Sequence, residues 1–397
     1  MVVPYAKTVR ELYYIAPVEN LKSILENGIL SHDNVKGKDV AQIYEQGIVD
    51  RRKNRKTPEE KSLWDYANLY FNPRNAMLFK IKCNETLDNI IILGISTEVF
   101  TLPHVFITTG NAASDETKIF PYAPGSIPSI IKETSKEFWD EEDGSKRKMI
   151  AECLVPDQVP SNHILSIYAP SPNSQKKIEE IMKNFDGQLP PIIVHPYLFF
   201  EDTWTRKISP NITLSVGDMF FSEAQTLTVS VNTKSVMGKG VASRAKYQFP
   251  DVYVKYQDAC RNGSLKLGKP HLIKREISSL AKLAYEPNTL TKCTSPTWFL
   301  LFATKNHWRD DSDINAIEKG LQWLVKRYKN LGIESLALPA LGCGLGNLQW
   351  KDVGPLLCRY LSKMDIPVWI YLPLGKSISD DFRTKEYLLP EEQTKLG

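Results

Sequence analysis

Residues 226–242 read TLTVSVNTKSVMGKGVA, and residues 335–350 read SLALPALGCGLGNLQW. Each stretch begins as a short strand-like run and opens into a glycine loop with a probable helix behind it. In the first, Thr226 to Val231 predicts a buried strand that ends at Asn232-Thr233. The loop Met237-Gly238-Lys239-Gly240 follows, then a helix over 241–259. In the second, Ser335 to Leu338 predicts a strand running into Gly342-Cys343-Gly344-Leu345-Gly346-Asn347. A strand that feeds a glycine loop ahead of a helix lets backbone N–H groups converge on a diphosphate. One such loop is weak evidence, because glycine serves tight turns everywhere. Two of them, each directly behind a buried strand, point to a nucleotide-binding α/β layer.

Around these loops the elements agree. Trp298 to Ala303 is another apolar strand. Asp313 is suited to cap a long helix whose apolar face is Ile314, Ile317, Leu321, Leu324, Val325 and Tyr328, with Gly332 as its stop. Toward the N-terminus, Leu12 to Ala16 reads as a strand and Val18 begins a helix with Leu21, Ile24 and Leu25 on one face and Gly28 as its cap. Ala151-Glu152-Cys153-Leu154-Val155-Pro156 places a carboxylate inside an otherwise apolar strand. That is costly unless the glutamate faces water from an edge or has a function. Ile192 to Phe200 reads as a closing strand, and the polar tract Glu201 to Pro210 as a linker.

The chain has 397 residues, more than one hydrophobic core usually serves, so two domains are expected. Strand-like and helical patterns alternate in both halves, the signature of an α/β chain. The boundary falls near residue 205, giving domains over 1–205 and 206–374 and a charged tail over 375–397. No run approaches 18 apolar residues, so no membrane contact is expected, and the N-terminus lacks the apolar core of a secretory signal. Six single cysteines without paired Cys/His spacing suit a cytoplasmic location and offer no metal site. The net charge of +4 is too small to indicate a nucleic-acid partner by itself. The run Arg51-Arg52-Lys53-Asn54-Arg55-Lys56 is either a solvated face or a phosphate-contacting patch.

The second half, through VNTKSVMGKGVA (231–242), FATKNHW (302–308) and LPALGCGLGNLQW (338–350), resembles the macrodomains of the DarG antitoxin group. The resemblance implies a three-layer αβα fold with a mixed sheet that binds ADP-ribose. It implies that Asp218 meets the adenine amine and Asn232 the distal ribose, while the loops Gly238-Lys239-Gly240 and Gly342-Cys343-Gly344-Leu345-Gly346 cradle the diphosphate. Lys305 is then the candidate nucleophile of a glycohydrolase, which requires a neutral amine. Some relatives carry an acidic residue where this chain has Gly346, which leaves the leaving-group acid unassigned.

The first half resembles the DarT single-stranded-DNA ADP-ribosyltransferase toxins through YIAPVENLKSILENGIL (14–30), YFNPRNAML (70–78), FITTGNAAS (106–114) and AECLVPDQVP (151–160). The resemblance implies an α+β ADP-ribosyltransferase-like domain that consumes NAD as substrate. Glu152 would be the catalytic carboxylate, Arg74 would hold NAD by its phosphates, and Tyr13 or Tyr14 would stack on nicotinamide. Histidines common in that family are replaced here by Tyr14 and Asn111, which leaves guanine and thymine both open as the modified base and leans toward guanine. Together the two resemblances imply a fused toxin–antitoxin acting on single-stranded DNA, NAD and ADP-ribose without a metal, with an intramolecular contact between toxin and antitoxin parts. A protein- or RNA-directed transferase with a macrodomain eraser, and a non-catalytic ADP-ribose reader, are the competing readings.

Overall fold

The computed structural model describes residues 9–38, 40–41, 46–140, 142–373, 375 and 377–390. The last residues of the charged tail, 391–397, lie outside the described residues. The chain forms two compact units: Val2–Glu201 with Ala281–Lys292, and Asp202–Leu280 with Cys293–Gly397.

The first unit contains β1 (Leu12–Pro17), β2 (Ile29–Leu30), β3 (Tyr66–Tyr70), β4 (Ile90–Ile95), β5 (Phe106–Thr108), β6 (Ile119–Pro121), β7 (Glu152–Pro156), β8 (Gln158–Val159), β9 (Ile164–Ala169) and β10 (Ile192–Val194). Eight of them form one sheet in the order β10-β9-β4-β1-β3-β7-β5-β6, with β2 and β8 as a separate short ladder. Every pairing in the large sheet is antiparallel except β9 with β10. The β4 sequence IIILGI is buried at every position, as a strand covered on both faces must be. Helix Leu21–Asn27 buries Leu21, Ile24 and Leu25 and ends at Gly28, whose φ of 78° suits glycine. The expected strand over 192–200 stops at Val194, because Pro196 cannot donate to a ladder and starts a 3-10 turn, Pro196–Phe199.

The second unit contains β11 (Trp204–Lys207), β12 (Ile212–Val216), β13 (Thr226–Asn232), β14 (His271–Ile273), β15 (Trp298–Lys305), β16 (Leu336–Pro339) and β17 (Val368–Tyr371), in the order β11-β12-β17-β16-β13-β15-β14. The five central strands are parallel and the two edge strands antiparallel, a mixed sheet. One face packs Leu300, Phe302, Leu336 and Leu338 under helices Ile314–Leu331 and Trp350–Leu361. The other packs Val229, Val231, Phe299 and Leu301 under helices Gly240–Gln248 and Pro250–Arg261. This is the three-layer αβα arrangement.

Asp313 caps helix Ile314–Leu331 by accepting from the Asn315 and Ala316 N–H groups at 2.8 and 3.3 Å. The single helix expected over 241–259 is instead two helices broken at Phe249. A residue before proline avoids the α region, and Phe249 lies at φ −136°, ψ 71° ahead of Pro250. Part of the polar tract read as a linker is strand β11, which pairs with β12 through Trp204–Val216 and its neighbours. The tail is drawn into this unit as well: Leu388 is buried, and the Trp350 indole donates to the Phe382 carbonyl at 2.8 Å. Among the described residues no helix is long and apolar enough to cross a membrane.

Candidate functional site

In the first unit a cavity of about 220 Å³ is bordered by Tyr14, His32, Arg52, Trp64, Tyr70, Asn111 and Glu152, among others. Glu152 opens β7 opposite Tyr70 of β3 and is only 1% exposed. Its backbone N–H donates to Thr108 Oγ1 at 2.8 Å, and Thr108 in turn donates to the Gly110 carbonyl. One carboxylate oxygen accepts the Ala112 N–H at 2.8 Å, and the other accepts from Arg52 Nη1 at 2.9 Å. The turn after β5 therefore exists, in part, to present Ala112 to the carboxylate. Asn111 fixes that turn by accepting the Ala113 N–H at 2.9 Å. A buried carboxylate survives only with such partners, one of them a cation. Burial pushes the Tyr70 phenol far up, and the Glu152 charge adds to the shift, so this hydroxyl stays protonated beside the carboxylate. The Trp64 and His32 rings meet at 4.4 Å with a 50° tilt, and Lys53 lies over the Trp64 ring at 5.1 Å.

In the second unit Asn232 and Lys305 end the adjacent parallel strands β13 and β15. They face each other there because the register slips by one residue after Val231. Ligands of open α/β sheets bind at this carboxyl end. Asn232 is buried; its Oδ1 accepts the Lys234 N–H at 2.8 Å and its Nδ2 donates to the Val236 carbonyl at 2.6 Å, fixing the first glycine loop. Lys305 Nζ donates to the Asp310 carbonyl at 2.5 Å and to the Leu345 carbonyl at 3.2 Å, which ties it to the second loop. The two loops face each other: a Cβ on Gly240 would lie 3.8 Å from Leu345 Cδ1. Gly346 is required by space, since a Cβ there would meet Ser312 Oγ at 2.1 Å. An acidic side chain has no room at that position. Asp218 accepts the Phe220 N–H at 3.1 Å and forms an ion pair with Arg244, whose guanidinium lies 4.5 Å from the Phe220 ring.

Residues 13–200 match the family model described as DarT, ssDNA thymidine ADP-ribosyltransferase, and residues 229–357 match the Macro domain model. A DNA ADP-ribosyl transferase–DNA ADP-ribosyl glycohydrolase fusion protein of Thermosipho africanus is 48% identical over 384 residues, which cover 96% of this chain and 98% of the relative. The chain belongs to that fusion family. A solved structure of Thermosipho africanus DarTG in complex with ADP-ribose superposes with a TM-score of 0.89 at 47% identity, over 96% of this chain and 100% of that one. The DNA ADP-ribosyl glycohydrolase of Thermus aquaticus is 35% identical over 184 residues, 45% of this chain and 47% of the relative. This protein is therefore a DNA ADP-ribosyltransferase joined to a DNA ADP-ribosyl glycohydrolase, with the fold classes expected from its two halves.

The transferase cavity gathers some of the expected residues and not others. Glu152 and Tyr14 border it. Arg74 and Tyr13 do not. Arg74 is 6% exposed, donates to the Tyr197 carbonyl, and stacks its guanidinium 3.8 Å from the Tyr197 ring and 4.4 Å from the Phe200 ring. Tyr13 meets the Tyr168 ring at 6.3 Å, and burial together with the Glu11 carboxylate pushes its phenol far up. The guanidinium on the carboxylate belongs to Arg52. Sequence reasoning saw Arg52 only as one of five cations in a basic run, and nothing in the run singles it out. The structure breaks up that run: Arg51 pairs with Glu286, Arg52 with Glu152, Arg55 with Asp115 and Lys56 with Glu60, while Lys53 lies over Trp64.

The glycohydrolase end of the sheet brings Asn232, Lys305 and the segments 238–240 and 342–346 together. Lys239 and Leu345 are exposed, whereas the Cys343 side chain turns into the core, so that residue offers the pocket only backbone. Arg244, the partner of Asp218, went unnoticed because its helix position carries no motif. Among the described residues no group of His, Cys, Asp and Glu could hold a metal.

Proposed function

We propose that the first unit transfers ADP-ribose from NAD to a base nitrogen of single-stranded DNA, with Glu152 as the catalytic carboxylate and Arg52 as the residue that holds it. The carrying observation is a carboxylate 1% exposed, gripped by a guanidinium and a backbone N–H at the wall of a cavity. As the nicotinamide–ribose bond breaks, positive charge builds on the sugar, and a fixed anion beside it lowers the barrier. The base nitrogen forms the new bond to the anomeric carbon and gives its proton to Glu152, while nicotinamide leaves with the bonding pair. A base buried in a duplex cannot reach this carboxylate, so the acceptor is single-stranded or flipped out. Tyr14 and Trp64 border the space where nicotinamide or a base would stack. Arg74 and Tyr13 act at one remove, through the aromatic cluster of Tyr168 and Tyr197. Thymine is the acceptor favoured by the matched DarT model. Guanine is the second reading, because Tyr14 and Asn111, both on the cavity wall, replace histidines expected there.

The second unit reverses the modification. Lys305, once its amine is free of the Asp310 and Leu345 carbonyls, attacks the anomeric carbon and the base–sugar bond breaks. The proton lost by the lysine nitrogen balances the one the departing base takes up. Water then cleaves the lysyl adduct to release ADP-ribose. Asp218 with Arg244 would bind the adenosine end, Asn232 the distal ribose, and backbone N–H groups of 238–240 and 342–346 the diphosphate. The protein meets NAD and DNA in the cytoplasm. Incubation of the Lys305→Ala variant, on which the adduct should accumulate, with NAD and single-stranded oligonucleotides that each lack one base, followed by intact mass measurement, tests the assignment. Loss of the adduct only when thymine is missing supports the first reading, loss only without guanine the second, and an adduct on no oligonucleotide refutes both.

A further inference from the structure

Residues Ala281–Lys292 lie in sequence between β14 and β15 of the glycohydrolase sheet, yet they fold as part of the transferase unit. Several bonds hold this segment there. The Trp139 indole donates to the Leu283 carbonyl at 2.8 Å, Lys146 Nζ to the Lys282 carbonyl at 3.1 Å, and the Tyr285 N–H to the Ala76 carbonyl at 3.0 Å. The Thr291 N–H donates to Asn84 Oδ1 at 3.0 Å. At its centre Glu286 takes a left-handed backbone conformation, φ 52°, uncommon for a residue other than glycine. That bend sends its carboxylate onto two cations of the transferase. Arg51 bonds one oxygen, and Lys80 Nζ lies 3.3 Å from the other. The Lys80 side chain is 6% exposed, whereas Arg51 is half exposed.

This is an anion site, and its position has consequence. Arg51 precedes Arg52, which grips Glu152, and Tyr285 lies close enough to Glu152 and Arg51 to feel both charges. An acceptor base at Glu152 carries a phosphate on either side, and Arg51 adjoins Arg52 on the same helix. We propose that Arg51 and Lys80 form a phosphate subsite for the acceptor strand, and that Glu286 occupies it as an internal carboxylate which the strand must displace. The proposal rests on the reading of the first unit as a transferase of single-stranded DNA. It adds a contact outside the cavity and a built-in competitor for that contact. Binding of DNA then carries the cost of lifting the segment, and the full cation pair is gained only once Glu286 has left.

The test is direct binding of a fluorescent single-stranded oligonucleotide to the full-length chain without NAD, across salt concentrations. Each phosphate contact steepens the slope of log affinity against log salt by about 0.7 for single strands, or about threefold in affinity between roughly 50 and 200 mM salt. Glu286→Gln keeps the shape of the side chain and removes its charge. It should tighten binding at low salt by at least about threefold with the slope unchanged, because the strand makes the same phosphate contacts once Glu286 has left. In the Arg51→Gln, Glu286→Gln double variant that gain should vanish. On the unaltered protein, hydrogen exchange over 281–292 should speed up as the oligonucleotide saturates, which keeps the proposal testable should the variants fold poorly. Unchanged affinity in Glu286→Gln with unchanged or slower exchange at saturation would overturn it and leave the transferase reading intact. An unaltered chain that binds no oligonucleotide at all would overturn both.

Discussion

Arg52→Gln probes the carboxylate without touching it. Arg52 Nη1 reaches Glu152 at 2.9 Å, and the two side chains are 15% and 1% exposed. A charge-assisted hydrogen bond of this kind contributes about 1.5–3 kcal/mol. Stripping a fully buried carboxylate of its cation costs more, about 3–5 kcal/mol. Water reaches the Arg52 side of the pair and replaces part of what is lost, so the effect belongs near the overlap, about 3 kcal/mol. Because the anion must stand in place as charge develops on the ribose, most of that loss enters the barrier. At about 1.4 kcal/mol per factor of ten, the turnover of NAD in the presence of single-stranded oligonucleotide should fall about 100-fold. Nicotinamide release is the proper assay, since it counts every transfer whether or not the glycohydrolase later removes the product. Arg55→Gln is the matched control from the same basic run: its partners are Asp115 and the Thr117 carbonyl, so it should lose less than about threefold as a surface pair would. An Arg52→Gln enzyme that is folded and turns over within threefold of the unaltered protein would refute the assignment.

Other outcomes follow from the same geometry. Glu152→Gln should stop nicotinamide release by about 1000-fold or more, measured with saturating NAD and oligonucleotide. Lys305→Ala should leave nicotinamide release intact while adduct accumulates on the oligonucleotide; adduct that still turns over would remove Lys305 from the mechanism. Gly346→Ala forces a Cβ to within 2.1 Å of Ser312 Oγ, so it should lower stability of the second unit by about 1–3 kcal/mol and weaken ADP-ribose binding in calorimetry. Burial holds the His32 imidazole below the usual histidine range. Its contribution is complete above the unfolded value of about 6.5 and is lost as pH falls through the lower folded value. The drop in melting temperature from pH 7 to pH 5 should therefore be smaller in His32→Gln.

Much of this architecture was legible in the sequence, for identifiable reasons. Strands β15 and β16 are near-continuous apolar runs, as parallel strands under two helical layers must be, while β13 buries alternating Thr, Leu and Val, and Asp313 and Gly332 bracket their helix with ordinary capping chemistry. The second glycine loop is crowded at Gly342 and Gly346, where a Cβ would clash, whereas Gly238 and Gly344 have room for a side chain. What escaped was long-range pairing. Glu152 and Arg52 are separated by 100 residues, and no local pattern tells which of five neighbouring cations will turn toward a buried carboxylate. Arg74 follows an Asn-Pro turn and therefore drew attention, but its partners, Tyr197 and Phe200, lie more than a hundred residues away. Pro250 marks the break at Phe249, but the apolar periodicity continues on both sides of it and masks the boundary. The 281–292 segment was invisible, since its place is set by contacts with Ala76, Trp139 and Lys146 rather than by its own composition.

The measurement closest to the central claim follows one oligonucleotide by intact mass while nicotinamide and ADP-ribose are counted in the same tube. In the unaltered chain with excess NAD, nicotinamide and free ADP-ribose should rise together while the oligonucleotide carries only a small, transient ADP-ribosyl adduct. A stable adduct with no free ADP-ribose, or no nicotinamide release when the strand is added, would contradict an enzyme that makes and breaks the same glycosidic bond.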